Sequence, residues 1–113
     1  MKGKVLLIGC GTSFNQLSLE AKKAISSCDV VLYDRLIDPL TLKFCRKALF
    51  VGKKPGESKK QAQINTLLLK LANQGKTIGR LKAGDAFLFS RGCEEKQFLE
   101  KNSIKVEVIS GQS

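Results

Sequence analysis

Val5-Leu6-Leu7-Ile8-Gly9-Cys10-Gly11, near the amino terminus, decides how the rest of the chain is read. An unbroken apolar run has no polar face to offer water, so a strand of this composition is buried on both sides, as in a parallel sheet. The glycines that end it mark a tight turn. Downstream, Leu17, Ala21, Ala24, Ile25 and Cys28 recur at helical spacing, and a second apolar run, Val30-Val31-Leu32-Tyr33, follows Asp29. This is a strand, helix, strand unit.

The alternation continues to the end of the chain. Asp38 before Pro39 reads as an N-cap with proline in the first turn, opening a short helix through Phe44 ahead of a strand over Leu49-Phe50-Val51. Residues 53–60 are polar and contain Pro55-Gly56, the composition of an exposed loop and a candidate lid. Ile64, Leu67, Leu68, Leu71 and Ala72 mark an amphipathic helix that Gly75 stops. A strand over 77–81, a helix containing Glu94, Glu95, Phe98 and Leu99, and an alternating, half-exposed strand over 104–109 complete the pattern. Strands alternating with helices predict an α/β domain with a mostly parallel sheet flanked by helices. The domain is expected over 1–109, and Ser110-Gly111-Gln112-Ser113 has the composition of a linker.

With 113 residues, the chain is sized for one compact domain, and 42% apolar with 27% charged residues suits a folded, soluble protein. No apolar run is long enough for a signal peptide or a membrane span, so a cytoplasmic protein without membrane contact is expected. The four cysteines contain no C-x-x-C pair and there is no histidine, which argues against a metal site; the thiols are read as reduced and mostly buried. Twenty Lys and Arg against ten Asp and Glu give a net charge of +10, with six cations and one anion between Arg46 and Lys60. Anions are the expected partners, whether polycarboxylates or nucleic acid; a merely solvated basic face is the plainer alternative.

Ligands of open parallel sheets bind beyond the carboxyl ends of the strands, so the residues just after each strand matter most. Gly9 and Gly11 admit a close backbone approach to a ligand, although Phe14 stands where a dinucleotide fingerprint needs glycine and no G-K-[ST] is present. Asp34, in Tyr33-Asp34-Arg35, is either a general base or the partner of Arg35 or a nearby lysine. Lys53 either donates a proton, holds a carboxylate or is simply solvated. The sixteen residues from Arg80 to Glu95 concentrate glycines, charges and aromatics, and an Arg91–Glu94 surface pair would account for little of that, being worth under about 1 kcal/mol.

The run from Arg80 to Glu95 resembles the R-L-K-G-G-D-P-F-x-F-G-R-G-x-E-E signature of the uroporphyrinogen-III C-methyltransferases, within the tetrapyrrole methyltransferase family. Val30 to Leu36 is similar to their D-V-V-L-Y-D-R-L segment, Val51-Gly52-Lys53 to their V-G-K, and Gln61, Ile64 and Asn65 to their Q-x-x-I-N. The resemblance spans about 4–111 and covers the first of that family's two domains. It implies the amino-terminal domain of the tetrapyrrole methylase fold and S-adenosylmethionine as methyl donor. The implied substrate is a polycarboxylate porphyrinogen on the route to sirohaem and cobalamin, which matches the basic charge. By position, Asp34 is the implied proton acceptor and Lys53 the proton donor, with Arg91 and Glu94 meeting the substrate. Gly9, Gly11, Thr12, Ala83, Gly84, Asp85 and Leu88 are the implied cofactor contacts. A homodimer, or association through the face left for the second domain, is also implied.

Departures from the family pattern gather near the cofactor side. Where the family has G-x-G-P-G-D-P, this chain reads Gly9-Cys10-Gly11-Thr12-Ser13-Phe14-Asn15, and Ala83, Ala86 and Ser90 replace Gly, Pro and Gly. The isolated half is therefore expected not to complete methyl transfer alone. Two other readings stay open: a relative that methylates RNA ribose, the less favoured because of Arg91 and Glu94, and a non-catalytic tetrapyrrole-binding module.

Overall fold

A computed structural model describes residues 2–11, 15, 17–51, 61–83 and 94–109. Five strands form one parallel sheet: β1 (Lys4–Gly9), β2 (Val30–Tyr33), β3 (Ala48–Phe50), β4 (Thr77–Lys82) and β5 (Lys105–Ile109). Their order across the sheet is β3-β2-β4-β1-β5. β4 and β1 are thus interior strands and are buried over most of their length, whereas β5 lies at an edge and is half-exposed, as its alternation predicts.

Helix α1 (Leu19–Ser27) covers one face. Its N-cap is Ser18, whose hydroxyl accepts the Ala21 N–H at 3.0 Å, so the helix begins two residues after Leu17, where the apolar spacing first suggested it. Ala21 and Ile25 pack on Leu6, Ile8, Val31 and Leu81. The short helix at Pro39–Phe44 is a 3-10 helix on that same side; the Asp38 carboxylate accepts the Leu40 N–H at 3.0 Å and Pro39 occupies the first turn, as the sequence predicts.

The opposite face carries α2 (Gln61–Asn73) and α3 (Glu94–Lys101). Ile64, Leu68, Leu71 and Ala72 of α2 and Leu99 of α3 pack against Val5, Leu7, Val30, Leu32 and Ile78. Both helices end the same way. Gly75 N–H donates to Ala72 O at 3.0 Å and Lys76 N–H to Leu71 O at 3.4 Å; Ser103 N–H donates to Glu100 O at 3.0 Å and Ile104 N–H to Leu99 O at 2.9 Å. Each stop needs one residue in the left-handed region, Gly75 at φ 84° and Ser103 at φ 65°.

Among the described residues no helix is long and apolar enough to cross a membrane. Cys10 and Cys28 are buried, Cys45 is half-buried, and all three are free thiols. Cys93, residues 53–60 and the linker-like 110–113 lie outside the described residues.

Candidate active site at the carboxyl ends of the strands

Because the sheet is parallel, β1, β2, β3 and β4 all deliver their carboxyl ends to one rim. β1 and β4 are neighbours there, yet the helices that follow them pack on opposite faces, α1 with Leu6 and Ile8 and α3 with Val5 and Leu7. Connections that diverge from adjacent strands leave a crevice between them, the usual ligand position in such sheets.

Small residues line the near side of this rim. Gly9 is in register with Lys82, and Cys10 N–H donates to Lys82 O at 2.8 Å, which ties the turn after β1 to the end of β4. Gly11 adopts φ 64°, a conformation that a side chain would strain. Ala83 continues from β4 and packs on the α1 side of the core. Two glycines and an alanine suit a ligand that approaches backbone closely, so these residues fit an adenosyl methyl donor.

Asp34 follows β2 directly. Leu32 pairs with Arg80, so Asp34 lies two residues beyond that level, near the end of β4. Its Oδ1 accepts the Leu36 N–H at 2.9 Å, and its carbonyl accepts the Ile37 N–H at 3.3 Å. The carboxylate thus fastens a turn, and among the described residues it forms no ion pair, with Arg35 or with a lysine. Burial pushes the Cys10 thiol up to about 12, with added contributions from Cys45 and from Asp34 that outweigh the opposing Lys82 backbone hydrogen bond. Burial likewise raises Cys28 and Cys45 to about 11, so these three thiols stay protonated at neutral pH and are poor nucleophiles.

The far wall is ionic. Ile78, Arg80 and Lys82 alternate along β4 and so share the face that carries α2 and α3. Arg80, flanked in register by Leu7 and Leu32, is only 5% exposed, and its Nε donates to Glu95 Oε2 at 3.1 Å. Lys82 Nζ reaches Glu95 Oε1 at 3.2 Å. Glu95, in the first turn of α3, is 1% exposed.

Of the residues singled out from the sequence, Gly9, Gly11, Asp34 and Ala83 come together at this rim, and Glu94 opens α3 beside it as an exposed side chain. Lys53, Arg91, Thr12, Gly84, Asp85 and Leu88 lie outside the described residues, although β3, which leads to Lys53, ends at the same rim. Arg80, Lys82 and Glu95 were not assigned a role. The signal was present: two cations at inward positions of a buried strand demand a buried anion.

Residues 4–113 match the family model described as Tetrapyrrole (Corrin/Porphyrin) Methylases. The uroporphyrinogen-III C-methyltransferase of Methanocaldococcus jannaschii is 44% identical over 98% of this chain and 48% of its own length. The siroheme synthase of Pseudomonas paraeruginosa is 43% identical over 96% of this chain and 24% of its own. The crystal structure of uroporphyrin-III C-methyltransferase from Thermus thermophilus in complex with S-adenosylhomocysteine superposes with a TM-score of 0.82 at 38% identity, over 98% of this chain and 49% of that one. The chain spans about half the length of the first of these relatives.

Proposed function

The chain belongs to the tetrapyrrole (corrin/porphyrin) methylase family, and we propose that the protein carrying it transfers a methyl group from S-adenosylmethionine to carbon atoms of uroporphyrinogen III. Support comes from the relatives named for that reaction, one of them holding S-adenosylhomocysteine. The observation that carries the reading is the meeting of Asp34, the Gly9–Gly11 turn and the end of β4 on one rim.

S-adenosylmethionine supplies an electrophilic methyl group. What the protein must do is place the acceptor carbon in line and take up the proton lost from the alkylated ring. The turn after β1 and Ala83 would hold the donor. Asp34 would accept the proton: its Oδ1 is fixed by the Leu36 N–H, which sets the direction of the free lone pairs. Lys53 would return a proton, and Arg91 and Glu94 would engage the substrate, with Thr12, Gly84, Asp85 and Leu88 lining the donor. The net charge of +10 favours capture of a polycarboxylate over a neutral acceptor. Leu36, Leu40 and Phe50, exposed near the β2–β3 edge, favour association with a second domain or copy.

Asp34→Asn keeps an oxygen for the Leu36 N–H while removing the base. In the intact protein, under anaerobic reducing conditions, kcat for uroporphyrinogen methylation is expected to fall by about a hundredfold or more, with S-adenosylhomocysteine affinity nearly unchanged. An undiminished kcat would remove Asp34 from the mechanism.

A further inference from the structure

We infer that Glu95 is a positioning residue of the rim: gripped by Arg80 and Lys82, it orients the first turn of α3, and with it Glu94, against the carboxyl end of β4. The inference rests on the reading of this rim as the methyl-transfer site.

Stability alone is a poor reason for the cluster. Desolvating three ionic groups offsets most of their attraction, and apolar groups of similar volume commonly hold such a position as well or better. Ionic hydrogen bonds add direction, which apolar contact lacks. Direction is needed here because α3 has only eight residues, too few to hold its shape alone. Its buried residues are Glu95 and Leu99, so Leu99 anchors the second turn and Glu95 the first. Glu94 and Gln97 are exposed. Both cations belong to one face of one strand, and Lys82 is the residue whose carbonyl also receives the Cys10 N–H. The same short piece of β4 therefore fixes the glycine turn on one side and α3 on the other.

The test replaces the cluster by apolar residues in the intact protein, Arg80→Met, Lys82→Met and Glu95→Leu together. The melting temperature is expected to hold or rise. Amide exchange at Phe98 and Leu99, whose N–H groups bond to first-turn carbonyls in a regular helix, should quicken about tenfold as the turn loses its orientation. The kcat for uroporphyrinogen should drop by about tenfold or more with KM and S-adenosylhomocysteine affinity within about twofold, the signature of a misplaced group rather than a lost binding contact. Retained fold, exchange and kcat together would overturn the inference. Faster exchange in a protein whose unaltered form neither binds S-adenosylhomocysteine nor methylates would overturn the function and leave the positioning intact. Should the triple variant not fold, Lys82→Met alone, which leaves the Arg80–Glu95 pair, carries the same readouts at about threefold; no change in either then counts against the inference.

Discussion

Helices α2 and α3 cover the same face of the sheet by opposite means. α2 lays four apolar side chains, Ile64, Leu68, Leu71 and Ala72, on the strands, whereas α3 is held at its first turn by a carboxylate between two cations. An apolar stripe tolerates exchange of one shape for another of similar volume. A buried ion cluster tolerates replacement as a whole but not the loss of one member, because each member is what makes the others affordable in a dry interior.

Single substitutions should expose that difference most strongly. Glu95→Ala leaves Arg80 buried beside an absent partner and should cost about 3–5 kcal/mol by urea unfolding. Leu68→Ala is expected to cost a similar about 2–5 kcal/mol, so truncation alone does not separate the helices. Volume-conserving changes do: Leu68→Met should stay under about 1.5 kcal/mol, and Glu95→Gln, with the same shape but no charge, should exceed it. Equal costs for those two conservative changes would erase the contrast.

The helix ends offer a finer comparison. Gly75 and Ser103 hold the same left-handed position in the same hydrogen-bonded stop. Gly75→Ala should destabilise by about 1–2 kcal/mol, and Ser103→Gly should stabilise by a few tenths of a kcal/mol to about 1, since glycine has no Cβ to strain there.

The α1 face buries thiols where the other buries ions, and this difference shows only in alkali. Cys28 is raised from 9.0 to about 11, chiefly by burial, so the folded state keeps a proton that the unfolded state has lost. The resulting stability is fully present below pH 9 and declines as pH rises through 11. Cys28→Ala should make the pH dependence of unfolding shallower than in the unaltered chain over that interval, and have no effect on its slope near neutrality.

Much of this architecture was readable because its causes are local. The apolar run at Val5–Ile8 could satisfy its backbone only between neighbouring strands, and Asp38-Pro39 and Gly75 mark helix ends through their own backbone preferences. The start of α1 was misjudged by two residues because Leu17 is buried without being helical, so periodicity counted it while the Ser18 cap excluded it. At the site, residue types suggested Asp34 through the family pattern, but whether its neighbour Arg35 would neutralise it was open. The folded chain ties Asp34 to the Leu36 N–H and forms no Asp34–Arg35 ion pair among the described residues.

Sequence by itself determined that this chain builds a parallel α/β layer with small residues after its first strand, because side-chain period, capping and turn chemistry act over a few residues. Tertiary structure decided the order β3-β2-β4-β1-β5, which places β1 beside β4, and decided that Glu95 closes on Arg80 and Lys82. Those pairings join residues that are not neighbours along the chain, and the packing of α3 on the sheet brings a carboxylate to a largely buried point where two cations require it.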